Sequence, residues 1–474
     1  MKRICAMIFC LIYTAAAFSA CSDNSSSLET NTSSESSSDI ITEPVESSVP
    51  DDSAENSEDD RFDIKKEYAE ALNGTLDAIA QDSSFEINDA TVGEDIVKLY
   101  DFTNNTGCYP VYKNESVEYY PTGEQAFDEM IKELEKADDF IFLEYFIINE
   151  GEMWDKIYDI LKRKASQGVD VRLIYDGLME GTALSEDFPK ELEENGIKCH
   201  VFSPISGEGS LNYNTRDHRK ILVVDGRTAF TGGLNIADEY INITHPYGIW
   251  KDNSIKIKGD AVGSFTLMFL QMWSAYEKES DISSFLKSSG NSNSQDGYIM
   301  PFCDNPFDEY SVSKSFYMSI LETAKDYVYI FTPYLLPDTE LENSIKAAAQ
   351  RGVDVRIFVP GIPDKVSVNL LTKSHYRPLI NSGVRIFEYS KGFVHSKVFV
   401  SDDIKAIVGT INLDNRSLVY HFECGAYIYN SSVIDDIKKD FTSAPDDYTE
   451  ITAQNIDSYS EAGGFLLKSI EGFL

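Results

Sequence analysis

The sequence predicts an α/β fold made of two homologous halves, and three observations support this prediction. Buried-strand patterns at 140–147, 168–175 and 197–202 alternate with helical patterns, which is the arrangement of an α/β protein. The residues Gly-Val-Asp-Val-Arg occur at 168–172 and again, unchanged, at 352–356. A second pattern, His-x-Lys followed by four residues and Asp, also occurs twice. Two patterns repeated in the same chain indicate an internal duplication.

The first 21 residues predict a secretory signal sequence. Lys2 and Arg3 precede an apolar run at 4–18, which is shorter than the roughly 20 residues that a membrane-spanning helix needs. The segment ends in Phe-Ser-Ala-Cys and resembles a bacterial lipoprotein signal, in which Cys21 would become the acylated N-terminus. This resemblance implies a lipid anchor on the extracytoplasmic face of the cell membrane. An ordinary cleaved signal and an uncleaved anchor remain alternatives.

Residues 22–62 predict a disordered tether. Between residues 22 and 60 there are twelve acidic residues and no Lys or Arg, interleaved with many serines. Such a segment cannot bury enough apolar surface to offset the entropy lost on folding. As a flexible coil it would span roughly 35 Å on average, and more because its charges repel each other. It would hold the folded part of the chain away from the membrane.

The rest of the chain is predicted to form two domains, at 63–282 and 297–474, joined by a Ser/Asn/Gly-rich linker at 283–296. With 42% apolar residues, the chain can fill large cores. Its net charge of −38 argues against nucleic acid as a partner, because binding to a nucleic acid backbone depends on Lys and Arg. An anionic lipid would need a local basic pocket. Such a pocket would be sufficient to bind it, because salt screens the repulsion from the other acidic residues beyond about 8 Å.

The repeated motif contains residue types that suit phosphodiester chemistry. Side chains two apart in a strand point to the same face, so the His and Lys of each copy would project together. Asp225-Gly226 predicts a hairpin that returns the chain to the side of the His, where glycines let the backbone approach a ligand. In the two halves the members are His218 and His395, Lys220 and Lys397, Asp225 and Asp402, and Asn235 and Asn412.

If the two halves face each other, these residues surround one phosphate ester. The Lys and Asn side chains would bind the non-bridging oxygens, which gain charge as the ester bond breaks. One neutral His would attack phosphorus, and the other, protonated, would deliver a proton to the leaving alcohol. We expect no metal ion and no other cofactor, because the sequence contains no His-Glu-x-x-His motif and no carboxylate cluster.

Other residues have a plainer interpretation. Asp225 and Asp402 stand at hairpin corners, where Asp is ordinary turn chemistry, so a structural role competes with a catalytic one. Four histidines without a motif are interpreted as surface or satisfied core residues: His200, His245, His375 and His421. Four cysteines outside the N-terminal segment lack Cys-x-x-Cys spacing and are expected to be free, mostly buried thiols: Cys108, Cys199, Cys303 and Cys424.

The paired motifs resemble the HKD motifs of the phospholipase D superfamily. The resemblance includes Gly232-Gly233 before Asn235, Gly409 before Asn412, and Arg416-Ser417. Four further segments resemble bacterial cardiolipin synthases: 230–240, Trp-Lys-Asp at 250–252, 332–338 and 392–395. The similarity covers roughly residue 112 to the C-terminus.

This resemblance implies two phospholipase D-like lobes, each a mixed β-sheet flanked by helices, with the site at a pseudo-twofold interface. It implies that His218 forms a phosphohistidine and that His395 acts as general acid and then as general base. It also implies a carboxylate partner for each imidazole, with Asp252 beside His395 and Glu423 beside His218. Such a partner would fix the tautomer and raise the basicity of the imidazole.

The reaction that the resemblance implies is transfer of a phosphatidyl group from one phosphatidylglycerol to a second, giving cardiolipin and glycerol. A hydrolytic phospholipase D that releases phosphatidic acid is the alternative. An extracellular nuclease and a non-catalytic surface lipoprotein are less favoured than either enzyme. Two departures concern the acceptor: the family usually begins with two membrane-spanning helices, and His421 stands where it tends to have Asn. We expect a monomer that acts on phospholipid in the membrane.

Overall fold

The structure is a computed structural model that describes residues 64–76, 99, 109–113, 116–179, 183–204, 213–287, 296–308, 310–456 and 467. The predicted signal sequence with Cys21, the tether, Cys108 and most of the linker lie outside these residues. Residues Asp60–Leu474 form one compact unit that contains both halves. No helix within the described ranges is both long enough and apolar enough to cross a bilayer.

The first half is built on a seven-stranded mixed sheet. Its strands are β2 (Ser116–Tyr120), β3 (Phe140–Tyr145), β4 (Asp170–Asp176), β5 (Lys198–Phe202), β6 (Lys220–Val224), β7 (Thr228–Gly232) and β9 (Ser254–Lys258). They are arranged in the order β2-β9-β7-β6-β3-β4-β5. The β3, β4 and β5 strands run parallel, and the other neighbours are antiparallel.

The second half is built on a nine-stranded sheet. Its strands are β1 (Tyr112–Lys113), β10 (Tyr298–Asp304), β11 (Tyr327–Phe331), β12 (Asp354–Pro360), β13 (Arg385–Tyr389), β15 (Val398–Ser401), β16 (Lys405–Gly409), β17 (Glu423–Tyr429) and β18 (Tyr448–Ile451). Their order is β1-β10-β17-β16-β15-β11-β12-β13-β18. Without the edge strands β1 and β18, this order reproduces the first sheet strand for strand. The prediction of two homologous lobes with mixed sheets is confirmed.

Helices cover the sheets. They are α1 (Ile64–Leu76), α2 (Gly123–Leu134), α3 (Glu152–Ser166), α4 (Phe188–Glu194), α5 (Val262–Ser274), α6 (Val312–Thr323), α7 (Thr339–Gln350), α8 (Val366–Asn381) and α9 (Val433–Thr442). The α2, α3 and α4 helices share an apolar core with the first sheet, and α6, α7 and α8 share another with the second. The amphipathic pattern of these helices therefore faces the sheets and leaves the polar side to water.

A third core joins the two halves. It contains Phe142 and Ile221 from the first sheet, Val398 and Val408 from the second, and most of α5. The side chains of α5 are buried on all sides from Ser264 to Ser274, because this helix contacts both the β3, β6 and β7 strands and the β10 strand. A helix that is apolar all round is the kind that a large protein buries. The two halves are thus fixed against each other by a continuous core.

Candidate active site

The backbone around each motif histidine is paired with the opposite half. Strand β8 (Ile249–Lys251) of the first half pairs in parallel with β14 (Gly392–Val394) of the second, and the His395 N–H donates to the Lys251 carbonyl at 2.7 Å. The His218 N–H donates in the same way to the Phe422 carbonyl at 2.9 Å. The expectation that each His and Lys share one strand is therefore wrong in detail: the β6 ladder starts at Lys220, because the His backbone is engaged across the interface.

This cross-pairing gives each imidazole a carboxylate from the other half. His218 Nδ1 lies 2.9 Å and 3.0 Å from the two carboxylate oxygens of Glu423. His395 Nδ1 lies 2.7 Å from Asp252 Oδ2. Both carboxylates are completely buried. Since each Nδ1 is held by a carboxylate, Nε2 is the nitrogen left for a substrate.

The two lysines converge with the histidines on one site. Lys220 Nζ donates to the carbonyl of His218, and Lys397 Nζ donates to the carbonyl of His395. Burial lowers the pKa of Lys220 to about 8 and that of Lys397 to about 7. Each lysine also helps to lower the pKa of the histidine of the opposite motif, as only nearby charges do. The site is thus a buried cationic pocket that suits an anion.

The two His-carboxylate pairs differ electrostatically. Burial and the Lys220 charge hold the pKa of His218 well below its usual value, and burial raises the pKa of Glu423 well above its own. Burial and the Lys397 charge lower the pKa of His395 to about 4. Burial also favours a higher pKa for Asp252, but the His395 and Lys397 side chains outweigh it and the pKa is lowered. Glu423 is therefore the stronger base, and Asp252 is the more stable anion.

The two motif asparagines have different partners. Asn235 Nδ2 donates to the Tyr240 hydroxyl at 2.7 Å, and its Oδ1 accepts from the Ile147 N–H at 3.2 Å. The Asn412 side chain bonds Asp414 instead, and its Oδ1 has no hydrogen-bond partner among the described residues. Each asparagine retains an N–H for an anion after these contacts.

The glycines of the motif make room for the protein itself rather than for a ligand. A Cβ at Gly233 would lie 2.0 Å from Asp252 Oδ1 and 2.9 Å from the His395 carbonyl. At the equivalent position of the second half, the Thr410 hydroxyl donates to Glu423 Oε2. Gly233 therefore leaves space for the Asp252 carboxylate, and Thr410 holds the Glu423 carboxylate by a hydrogen bond.

Asp225 and Asp402 lie at the far end of their strands, about 16 Å along the chain from the lysines by strand geometry. Asp225 accepts three backbone N–H groups, from residues 138 to 140, at 2.8–2.9 Å. Asp402 accepts the equivalent three, from residues 325 to 327, at 2.9–3.0 Å. Both residues have positive φ, of 53° and 55°. These contacts fix the hairpin turns to the preceding strand, because an Asp side chain satisfies several backbone donors at once. They favour the structural interpretation of both residues, and the catalytic role stays a prediction.

Of the four histidines without a motif, His421 departs from the expectation. Its ring lies 5.2 Å from that of His218, and Nδ1 is 3.5 Å from Glu423 Oε1. Neither ring nitrogen makes a hydrogen bond to any described residue. His375 is a satisfied core residue that contacts Glu342 at 2.7 Å. The sequence held a signal for His421, which stands two residues before Glu423 as Trp250 does before Asp252.

His218, His421 and Glu423 place ligand atoms within 4.8 Å of one another, a donor set that could hold a transition metal. The charges nearby disfavour a cation there. Burial and the positive charges of Arg416, Lys220 and Arg216 hold the pKa of His421 well below its usual value. We therefore interpret this corner of the site as anion-binding.

A buried ionic cluster beside His218 was not predicted. Arg219 lies 3.5 Å from Glu144, and its backbone N–H donates to the carboxylate of Asp217 at 3.2 Å. Its Nη2 donates to the Tyr68 hydroxyl of α1 at 3.1 Å. All four side chains are essentially without solvent exposure. One signal was present: Glu144 is a charged residue inside a strand predicted to be buried.

Cys303 and Cys424 are free thiols, as predicted. Cys199 and Cys424 are buried, and Cys303 is partly buried. The large apolar cores supply the stability that smaller secreted domains obtain from disulfides.

Comparison with known proteins identifies the family. The family described as "Cardiolipin synthase, PLD-like domain" matches residues 130–273 and 317–444, which together cover more than half of the chain and contain both motifs. The chain belongs to this phospholipase D-like family. Each matched range lies within one lobe and contains one motif, and the recognition of the paired HKD motifs is confirmed.

Individual relatives agree with this assignment. A protein of Streptococcus mutans described as uncharacterized is 51% identical over 72% of this chain and 74% of its own length. A cardiolipin synthase of Alkalihalophilus pseudofirmus is 34% identical over 72% of this chain and 68% of its own length. The crystal structure of phosphatidylserine synthase from Haemophilus influenzae shares the fold, with a TM-score of 0.61 at 16% identity over 80% of this chain and 97% of that one. The chain is a phospholipase D-type phosphatidyltransferase.

Proposed function

We propose that this phosphatidyltransferase condenses two phosphatidylglycerol molecules to cardiolipin and glycerol, through a phosphohistidine on His218. The observation that carries the proposal is the pair of buried imidazoles, each held at Nδ1 by a carboxylate of the opposite half, in a pocket with two buried lysines. Such a pocket binds one phosphodiester and offers a nucleophile and a proton donor to it. Relatives described as cardiolipin synthases support the choice of substrate.

In the first step, Nε2 of His218 attacks phosphorus and the bond from phosphorus to the glycerol oxygen breaks. The Glu423 carboxylate attracts the Nδ1 proton more strongly as the imidazole becomes positive, because its pKa is raised by burial. His395 gives its proton to the departing oxygen, so glycerol leaves as a neutral alcohol. The nearby Asp252 stabilises His395 in the protonated form that this step requires.

In the second step, the hydroxyl of another phosphatidylglycerol gives its proton to His395 while its oxygen attacks the phosphorus held on His218. The phosphorus–nitrogen bond breaks, cardiolipin leaves, and both imidazoles return to their starting states. Lys220, Lys397 and the two asparagines hold the non-bridging oxygens during both steps. The phosphate also offsets the lysine charges, which raises the pKa of His395 above the low value it has in the empty pocket.

The test is to incubate residues 60–474, the compact unit, with phosphatidylglycerol vesicles in the presence of a chelator and to identify the products by mass spectrometry. The expected products are cardiolipin and glycerol in equal amounts, and none from the His218→Ala variant. Phosphatidic acid without cardiolipin would assign the enzyme to the hydrolases instead. No lipid product at all would overturn the choice of phospholipid as substrate.

We also propose that the mature chain is anchored through an acylated Cys21 on the extracytoplasmic face of the membrane. The support is the lipoprotein-like sequence that ends in this cysteine and the acidic tether that follows it. Mass spectrometry of the mature N-terminal peptide tests this. A peptide that begins at unmodified Ser22 or later would contradict it.

A further inference from the structure

Within the part of the chain that the structure describes, seven large apolar or aromatic side chains are strongly exposed: Tyr213, Ile243, Ile249, Tyr310, Ile362, Val366 and Val419. Six of them, all except Tyr310, lie in segments that carry or touch residues of the active site. Scattered exposed apolar residues need no explanation, but a group around a binding site indicates an interaction surface. We call these six residues the apolar rim.

Ile249 and Ile362 belong to the His395 side of the site. Ile249 directly precedes Trp250, whose ring lies 5.4 Å from that of His395. The tip of the Ile362 side chain lies against Gly248, because a Cβ there would be 3.1 Å from it. The two isoleucines are therefore neighbours that come from opposite halves of the chain.

Ile243 and Val366 extend the same surface. Ile243 follows Asn242, whose side chain bonds both the N–H and the carbonyl of Trp250 at 2.8 Å and 3.0 Å. Val366 begins α8 and is 72% exposed. Its neighbour Lys365 links it to the site, because the Lys365 charge acts on His421 beside His218.

Tyr213 and Val419 belong to the His218 side. Tyr213 is 57% exposed, and its ring lies 5.7 Å from the guanidinium of Arg416. Val419 is 51% exposed and stands two residues before His421, which packs against His218. The rim thus includes segments beside both catalytic histidines.

Positive charge lies within this apolar surface. Both Lys365 and the partly exposed Arg416 act on the buried His421 and help to lower its pKa. In a chain with a net charge of −38, these two cations lie beside exposed Val and Tyr side chains, with the acidic Asp364 next to Lys365 in the chain. That combination fits the interface of a membrane with anionic headgroups.

We propose that the apolar rim docks onto the surface of a bilayer that contains anionic phospholipid, with Lys365 and Arg416 beside the headgroups. The inference rests on the proposed function, since a phospholipid must pass from the bilayer into the pocket without exposing its acyl chains to water. The rim side chains enter the interface around the site, and the substrate reaches the histidines directly from the membrane.

The first experiment compares an Ile362→Ser/Val366→Ser double variant of residues 60–474 with a Tyr310→Ser control. Vesicles of equal parts phosphatidylglycerol and phosphatidylcholine should retain the double variant at least about tenfold more weakly than the native protein, because two apolar side chains no longer leave water. The control should bind as the native protein does. Equal binding of all three proteins would overturn the proposal.

Activity separates this inference from the proposed function. On monomeric short-chain phosphatidylglycerol, the double variant should be as active as the native protein, while its activity on vesicles falls with its binding. Loss of activity on both substrates would mean that Ile362 and Val366 act on the site itself and would contradict the docking role. Absence of any lipid product from the native protein would reject the proposed function and leave the binding result to stand by itself.

A fluorescent variant reports the contact directly. The emission of Val366→Trp should move to shorter wavelength when the same vesicles are added, and that of Tyr310→Trp should not. A Val366→Trp emission that is already at short wavelength without vesicles would show that protein covers the rim, from this chain or a second copy. An emission that stays at long wavelength with vesicles present would show that the rim remains in water, and either result overturns the proposal.

Discussion

The surroundings of the two motif histidines differ far more than the motifs themselves. Beside His218, the equivalent positions are occupied by Glu144, Asp217 and Arg219, which form a buried ionic cluster. Beside His395, the same three positions hold Phe331, Val394 and Ser396, and two of these are apolar. The duplicated chain has kept the residues that can contact a phosphate and has changed those one layer behind them.

The cation–π contacts near the two motifs also use different positions. Near His218, the Arg219 guanidinium lies 5.4 Å from the ring of Phe422. Near His395, the ring is that of Phe331 in β11 and the cation is Lys251 of the first half, 5.1 Å away. A cation–π contact supports each histidine from behind, but the charged partner is on the motif in one half and on the carboxylate segment in the other. Different residues can therefore pack behind each histidine in a similar way, while their charges affect the two imidazoles differently.

The largest expected effect separates the two histidines. Both His218→Ala and His395→Ala should lower kcat/KM by about 10⁴-fold or more, because each removes a group that forms or breaks bonds. With a substrate whose leaving group needs no proton, His395→Ala should still form the acid-labile phosphohistidine, and His218→Ala should not. Rapid acid-free quenching followed by mass spectrometry of the peptide checks this. A phosphorylated His395 in the His218→Ala variant would reverse the two roles.

Exchanging the carboxylates for amides should distinguish the two pairs. Asp252→Asn should lower kcat about 10³-fold, because His395 loses the anion that stabilises its protonated form. The effect of Asp252→Asn on kcat should be greatest with a poor leaving group such as glycerol. It should be smaller when the leaving group needs no proton. Glu423→Gln should lower the rate of phosphohistidine formation with either leaving group, since Glu423 assists the nucleophile. Single-turnover kinetics with both substrates gives the two patterns, and identical patterns would remove the distinction between the pairs.

Stability should differ between the layers behind the motifs. Arg219→Met should lower the free energy of unfolding by about 3–5 kcal/mol, because Glu144 and Asp217 remain buried without their cation. The equivalent Ser396→Ala should cost less than about 1 kcal/mol, since its hydroxyl makes only a long contact of 3.4 Å to a carbonyl. Urea unfolding at neutral pH measures both changes. Similar values for the two variants would show that the ionic cluster behind His218 contributes no more to the free energy of unfolding than the equivalent residues behind His395.

The smallest effect concerns the lysines and pH. The pKa of Lys397 is about 7 and that of Lys220 about 8, both lowered mainly by burial. Sulfate keeps its charge between pH 6 and 9, so its affinity for the empty pocket should be highest below pH 7 and should fall, about tenfold, as the pH rises through 7 to 8. Isothermal titration calorimetry measures this. In Lys220→Met the midpoint should move to higher pH, because Lys220 no longer depresses the pKa of Lys397; an affinity that rises with pH would contradict the assignment.

Much of this site could be predicted from the sequence because the motif occurs twice in the chain. The spacing of His, Lys and Asn predicted one pocket, and the family resemblance paired Asp252 with His395 and Glu423 with His218, as the distances now show. The alternation of strands and helices predicted the α/β class. The cross-pairing of β8 with β14 was not predictable, because it depends on contacts between residues over 140 positions apart. The full strand order was not predictable either, because neighbouring strands such as β3 and β6 are not consecutive in the chain.

What the sequence concealed were contacts that no repeated pattern marks. His421 lacks a motif, and only its position two residues before Glu423 links it to the site. Arg219 carries no repeated signal, because the equivalent position in the second motif is Ser396. The glycine at 233 suggests a position open to a ligand, whereas the space of its missing side chain is taken by Asp252 Oδ1 from the start of the neighbouring strand.

The cross-paired carboxylates have a consequence for how this chain arose. The carboxylate of each half contacts the histidine of the other half, so a protein with a single motif would need two identical subunits to complete either pair. In such a homodimer every substitution would appear on both sides of the twofold axis, so the two histidines would have identical surroundings. A chain that carries both halves is free of that constraint. It allows Glu423 and Asp252, His421 and Trp250, or Arg219 and Ser396 to differ, and a nucleophile to be distinct from its proton donor.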